Sequence, residues 1–401
     1  MKILVTSIVD LDKSAYNRLH EFVKYLSQRH DITILSIKDY WKASQTNVKL
    51  YAQGLEDTLE KVNLEYFAQR KISPIFQEVT SAATIGRLLK RINYQTFDIH
   101  FNYNTLISGY CIAKKMRSIG VNTVYDIADN LPAMIRNSPQ IPFMLRPLGK
   151  FVGNVMVAKN MKIASKVVYV TSSLSKMYPA PQSKAVIIPN GVDIDLFHTR
   201  TPSQLRKELG LDGAFVLGFV GVLREGVDFE PVFAAVKELN NDGHSTKMLI
   251  VGENGGLSKN KAMAQHYEIS EKVTFTGAVP YTQVPRYHSC MDACLMPLKF
   301  SNAQPLSVLQ CLASSKPVIS TKPLEIPHNL VLYACDKEEY KERILQLAKN
   351  PELRQEMGSA GRKYVEENHS WADIALRLEA ILEEASKKTK CRGSVVLSST
   401  A

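Results

Sequence analysis

The stretch from Leu295 to Thr321, LMPLKFSNAQPLSVLQCLASSKPVIST, leaves few folds open to this chain. The apolar run Ala293–Leu298 is closed by Pro297 and a polar loop. Leu306, Leu309 and Leu312–Ala313 then recur at the three-to-four spacing of a helix face. Pro305 stands where that helix begins, because a proline at the first helical position gives up no donor that the helix needs. Lys316-Pro317-Val318-Ile319-Ser320-Thr321 follows as a short β-branched run of the kind found in buried parallel strands. Strand, polar loop, helix and strand make one unit of an open α/β sheet. Ligands of such sheets lie beyond the carboxyl ends of the strands, against helix N-termini, which places a site at Ser301–Pro305.

The same residues resemble the nucleotide-sugar site of retaining glycosyltransferases of the GT-B fold, the large family 4 group. Its usual form is a proline-ended strand, a loop and then P-L-K-L-x-E-Y-L-A-A-G-K-P-V-V-x-T, and Pro305 to Thr321 follows it closely. The resemblance implies an α/β protein of two Rossmann-like domains, with parallel sheets facing across a cleft. It also implies that Asn302, Pro305, Leu306, Ser307 and Gln310 contact a nucleotide-sugar donor. Where the family has two carboxylates eight positions apart, this chain has Asn302 and Gln310; the subgroup's lysine is Ser307, and the glycine before Lys-Pro is Ser315. A neutral amide still donates and accepts hydrogen bonds, so hydroxyls of the ribose and sugar would be held without charge.

At 401 residues the chain is long enough for two domains, each with a core of its own. With 45% hydrophobic and 22% charged residues it reads as a globular protein. The six cysteines form no C-x-x-C pair, so Cys290 and Cys294 are expected to be packed rather than bonded or ligating, in a reduced cytoplasmic setting. Met1–Val9 is too short for a secretory segment, and no apolar run approaches a membrane span. The net charge of +11 calls for an acidic partner, such as a nucleotide diphosphate, a lipid phosphate, a membrane surface or nucleic acid.

The first half opens with a strand at Lys2–Ser7, a helix over Ser14–His30 and a strand at Asp31–Ile37. The first loop has no glycine, so the dinucleotide fingerprint is absent and no NAD or FAD is expected. Further strands are read at Val62–Phe67, Phe97–Asn102 and Asn122–Asp126, with helices at Ser81–Ile92 and Leu106–Ile119. His100 reads as a packed core histidine. The resemblance implies a catalytic residue at Asp126, where the family often places a histidine beside the transferred sugar; equally, Asp126 or Asp129 could cap the next segment. Between Gly86 and Lys166 there are twelve Lys or Arg residues against three Asp or Glu. Within that region, Ile141–Val157 mixes bulky apolar groups with single cations, as either a membrane-interface segment or a core helix with a cationic edge does. No stacked aromatic series, finger or helix-turn-helix accompanies the charge, which argues against nucleic acid.

Ile188-Pro189-Asn190-Gly191-Val192-Asp193, completed by Phe197, resembles the family's motif at the crossing between domains. We therefore expect a first domain over 1–198, a second over 199–370, a closing helix over 371–386 that crosses back, and a disordered tail at 387–401. After the strand Ala214–Val220, Gly221 allows close backbone approach, and the resemblance makes Arg224 the cation for the donor pyrophosphate. Gly252 opens a second phosphate-side loop after Lys247–Val251.

Two functions are compatible with these residues. One is metal-independent transfer of a sugar, with retention, from a nucleotide-sugar to a glycan or polyprenyl-linked acceptor, at the inner face of an anionic membrane and without a resident cofactor. The other is a catalytically silent GT-B relative that serves as a binding or partner subunit.

Overall fold

The computed structural model describes residues 1–12, 14, 16–38, 56–67, 74–138, 141–198, 201, 204–224, 226–253, 256–299 and 305–396, without the side chains of 56, 74–76 and 388–396. Two compact units emerge: Met1–Pro189 together with Ala372–Ala401, and Asn190–Trp371. The division thus falls inside the Ile188–Asp193 motif rather than after residue 198. The reason is packing, since Val192 and Phe197 are fully buried in a core of the second unit.

The first unit is a seven-stranded sheet built from β1 (Lys2–Ser7), β2 (Asp31–Ser36), β3 (Asn63–Tyr66), β4 (Ile99–Tyr103), β5 (Thr123–Ile127), β6 (Lys166–Tyr169) and β7 (Ala185–Ile187). Every pairing is parallel, in the order β3-β2-β1-β4-β5-β6-β7. All residues of β4 and β5 are buried, as happens when helices cover both faces of a parallel sheet. The helix expected from Ser14 begins later, at Arg18. Asn17 fixes that start: its side chain accepts from the Leu19 N–H at 3.0 Å, while His20 Nδ1 accepts from the Asn17 N–H at 3.2 Å. His100 lies between β1 and β5, with Nε2 2.7 Å from Thr6 Oγ1 and Nδ1 3.1 Å from Thr123 Oγ1. Burial lowers its pKa to about 3, so it is a neutral core histidine.

The last helix, Trp371–Val396, belongs to the first unit from Ala372 onward. It is held by an ion pair from Arg29 to Glu379 at 2.7 Å, by a hydrogen bond between His30 Nε2 and Glu379 Oε1 at 2.6 Å, and by a hydrogen bond from Asn122 Nδ2 to the Ala385 carbonyl at 2.9 Å. It runs to Val396, where the sequence suggested a tail from 387; only 397–401 of that tail lie outside the described residues.

The second unit has six parallel strands, β8 (Phe215–Val220), β9 (Thr246–Val251), β10 (Val273–Gly277), β11 (Ala293–Met296), β12 (Val318–Ser320) and β13 (Val331–Tyr333), in the order β10-β9-β8-β11-β12-β13. The strand–loop–helix–strand unit of the motif is present as β11, helix Leu306–Ala313 and β12. Helix Leu306–Ala313 ends in two backbone bonds, Ser315 N to Leu312 O at 2.9 Å and Lys316 N to Cys311 O at 3.0 Å. Ser315 itself is left-handed, with φ of 56°. This is the conformation that the family's glycine would adopt without a steric cost.

Gly358, in helix Pro351–Asn368, faces this turn so closely that a Cβ there would lie 2.3 Å from the Ser315 carbonyl oxygen. The turn therefore yields two changes of opposite sign. Gly358→Ala forces backbone apart and should cost about 1–3 kcal/mol. Ser315→Gly relieves the left-handed strain and should stabilise by about 0.5–1 kcal/mol. Urea melts of both variants check the pair, and equal shifts in the same direction would contradict it.

Candidate active site

In the second unit the strand order reverses between β8 and β11, so the loops after these two strands diverge to opposite sides. They are nonetheless bonded to each other near their start. Val227 bridges to Leu298, the Asp228 N–H donates to the Pro297 carbonyl at 2.8 Å, and the Lys299 N–H donates to the Gly226 carbonyl at 2.9 Å. Lys299 Nζ also lies 3.5 Å from Asp228 Oδ2. On its other side the β8 loop is tied to the β9 loop, through Leu223 N to Glu253 O at 3.3 Å and Gly256 N to Leu223 O at 3.1 Å.

Gly221 and Gly252 make this convergence possible. Gly252 has φ of +137°, and a Cβ on it would lie 1.9 Å from the Gly221 carbonyl oxygen. No side chain fits there, so the two loops approach backbone to backbone. Arg224 sits on the pinned β8 loop with its side chain exposed, while neighbouring Leu223 is buried beneath it. Its backbone is fixed by bonds to Val222 and Val227. The geometry therefore presents a guanidinium to solvent from a rigid base at the switch point.

Pro305 is the N-cap of helix Leu306–Ala313, and no side chain among the described residues caps that end. Val308, Leu309, Cys311 and Leu312 bury the helix against the sheet; Leu306, Ser307 and Gln310 lie half-buried on the other face. Ser307 Oγ is 3.6 Å from Met296 Sδ, at the end of β11. Asn302 falls in the stretch 300–304, outside the described residues. The structure thus joins Gly221, Arg224 and Gly252 in one loop cluster, and sets Pro305, Leu306, Ser307 and Gln310 at the helix start that follows the neighbouring strand.

Asp126 belongs to the first unit and is placed differently. It lies near the carboxyl end of β5 and is wholly buried, with Oδ2 accepting from Arg18 Nε at 3.1 Å. Burial raises its pKa, and Arg18 pulls in the opposite direction. The rest of the Arg18 guanidinium donates to the carbonyls of Pro189 at 2.6 Å and Ile188 at 2.8 Å. Asp126 therefore orients an internal cation and does not cap the segment that follows; that helix, Leu131–Asn137, is capped by Asn130. Sequence reasoning missed Arg18, because a lone arginine at a helix start carries no signature of a buried partner 108 residues away. It also missed Glu78, whose Oε1 accepts from the N–H groups of Leu106, Ile107 and Ser108 at 2.7–3.1 Å and so caps helix Ile107–Ser118 from another element.

Cys290 and Cys294 are packed in the core, as expected. His288, Cys294 and Cys311 bring their ligand atoms within 4.8 Å of one another. Burial holds the Cys311 thiol well above its usual range and lowers His288 to about 3, while His288 Nδ1 is 3.1 Å from Ser314 Oγ. A protonated thiol beside a neutral imidazole, under the helix of the motif, is a packing arrangement.

Residues 203–364 match the family model described as Glycosyl transferases group 1. A D-inositol 3-phosphate glycosyltransferase of Segniliparus rotundus is 26% identical over 228 residues, 54% of this chain and 51% of that protein. Spore coat protein SA of Bacillus subtilis is 20% identical over 284 residues, 63% of this chain and 75% of its own length. The matched region thus spans between about half and three-quarters of these relatives. Among solved structures, Anabaena Alr3699/HepE in complex with UDP superposes with a TM-score of 0.73 at 16% identity, covering 96% of this chain and all of that one.

The buried ion pair gives a direct test. Arg18→Met strands the Asp126 carboxylate in the core and should cost about 3–5 kcal/mol in denaturant melts. Adding Asp126→Asn to that variant should recover part of the loss; two additive losses would mean that the groups act independently. The chain has the GT-B fold, and its second unit carries a glycosyl transferases group 1 domain.

Proposed function

We propose that the chain transfers a sugar from a nucleotide-sugar to a glycan or lipid-linked acceptor, with retention and without a metal or resident cofactor. The observation that carries this reading is the pinned β8 loop. It offers Arg224 at the sheet's switch point, beside the strand whose following helix starts at Pro305. Charge developing on the leaving diphosphate would be met by Arg224, by backbone N–H groups of the Gly221 and Gly252 loops, and by the positive end of helix Leu306–Ala313. Metal independence is supported by Asn302 and Gln310, because amides replace the carboxylates that could hold a cation on the diphosphate. Gln310 would hydrogen-bond the donor ribose and Asn302 the sugar. The relatives named above support the reaction class, and HepE was solved with UDP. We place the reaction in the cytoplasm, at the inner face of the membrane, where a polyprenyl-linked acceptor would be met.

Asp126 enters this scheme through Arg18: its role is to hold the guanidinium, and through it the Ile188–Pro189 backbone, in position. The amides at Asn302 and Gln310 also support a second reading, a catalytically silent relative that binds a nucleotide-sugar or a partner subunit.

A transfer and donor-hydrolysis assay across UDP-, GDP- and ADP-sugars separates the two readings, since turnover of any one excludes the silent form. In the active case Arg224→Ala should lower turnover by about 10²–10³ with the melting curve unchanged. Strict dependence on magnesium or manganese would contradict the mechanism.

The amide makes its own prediction. Gln310→Leu leaves donor hydroxyls unpaired and should weaken nucleotide-sugar binding by about 1–3 kcal/mol in calorimetry. Unchanged affinity would place the ribose elsewhere.

A further inference from the structure

Helix Arg146–Ile163 turns its bulky apolar residues the wrong way for a globular protein. Only Gly153, Val157 and Asn160 are buried on it. Phe151 is 65% exposed, Leu148 59%, Val152 41% and Val155 36%. Their three-to-four spacing puts them together on the face opposite the buried one. The 3-10 turn Phe143–Leu145 extends this ridge, with Phe143 80% and Met144 88% exposed. Seven of the twelve large hydrophobic side chains found exposed among the described residues fall within Phe143–Val155. An apolar face gathered in this way marks an interaction surface rather than the scattered exposure normal to proteins.

The surrounding charge has one sign. From residue 130 to 192 the chain contains eight Lys or Arg residues and no Asp or Glu. Arg146 and Lys150 stand within the apolar part of the helix, while Lys159 and Lys162 continue the exposed face toward its end. Arg146 folds over the Phe143 ring at 5.7 Å, and Lys159 over Tyr110 at 5.7 Å. The flank of the helix is also open and apolar. A cavity of about 440 Å³ is lined there by Ala158, Met161, Met177 and Tyr178, with Lys162 and Lys184.

We propose that the turn Phe143–Leu145 and helix Arg146–Ile163 seat this unit on an anionic phospholipid bilayer. Phe143, Met144, Leu145, Leu148 and Phe151 enter the interface, and the four cations meet lipid phosphates. A second copy of the chain is a poorer occupant. A self-complementary contact would set these cations against their own copies, with no acidic residue in the segment to offset them. The proposal deepens the glycosyl-transfer reading and rests on it for its purpose, since it names the surface from which a lipid-linked acceptor is drawn. The seating itself stands on this surface alone.

The test is flotation of the full chain with phosphatidylglycerol vesicles and with phosphatidylcholine vesicles, in low and high salt. Binding should require the anionic lipid and weaken with salt. Replacing Arg146, Lys150, Lys159 and Lys162 by Ser should weaken it by about fivefold per cation. Phe143→Ser with Met144→Ser and Phe151→Ser should abolish it, with an unchanged melting curve. As a positive report, Phe151→Trp should show blue-shifted emission on the anionic vesicles. Binding that ignores charge, survives the apolar triple variant, or is absent altogether overturns the proposal, as does concentration-dependent dimerisation through this face in sedimentation. Donor turnover by the unsubstituted chain, measured with a soluble acceptor, distinguishes the two failures: turnover without vesicle binding removes the membrane and keeps the transferase, and vesicle binding without turnover does the reverse.

Discussion

The guanidinium of Arg18 is the fixed point of the first unit. It reads two strands at once: a carboxylate near the end of β5, and two carbonyls just beyond β7, where the chain leaves the sheet. The group comes from the first helix, so the β1–helix connection is set by the same contact. Asp126 and Ile188 are buried and Pro189 half-buried, in a region where a charge without a counter-charge is costly. Its neighbours are chosen accordingly: Phe22 lies under the guanidinium at 4.6 Å, and burial of Asp126 and attraction by Arg18 oppose each other in setting the carboxyl's proton affinity. A site that spends its carboxylate in this way gains geometry rather than reactivity.

The second unit solves a different problem. Parallel strands leave their carboxyl ends crowded with loops, and here three loops share the ground above β8, β9 and β11. Side chains are excluded at Gly252, and backbone hydrogen bonds tie the loops together, with Arg224 projecting from them. On the reading proposed above, such a surface would meet a diphosphate from positions fixed in advance, the form of electrostatic complementarity that needs least reorganisation.

Much of this was legible in the chain. The period-two and apolar runs located β1, β2, β4, β5 and the β11–helix–β12 unit, because strands buried on both faces must be apolar throughout. Pro305 marked the start of helix Leu306–Ala313 through backbone restriction alone. What escaped depended on contacts distant in sequence. Arg18 with Asp126, Glu78 with the Ile107 helix and Glu379 with His30 are pairs that no local pattern specifies. The helix start moved from Ser14 to Arg18 because the capping box of Asn17 and His20 fixes it there. The division between units moved to Pro189 because Val192 and Phe197, which sit in a polar, turn-rich run, are core residues of the second unit. Ser315 shows the limit most simply: the sequence marked a missing glycine, and only the fold shows that the left-handed turn persists without it.

The closing helix has a consequence for synthesis. The first unit is made of two separate pieces of chain, and the whole of Asn190–Trp371 is translated between them. While the ribosome is still producing that middle piece, Arg29, His30 and Asn122 wait without Glu379 and Ala385. The second unit, whose sheet is built from one uninterrupted stretch, has all its strands before the first unit has its last helix. Chain order and order of completion therefore differ: the first unit receives its last helix only after every strand of the second has been made.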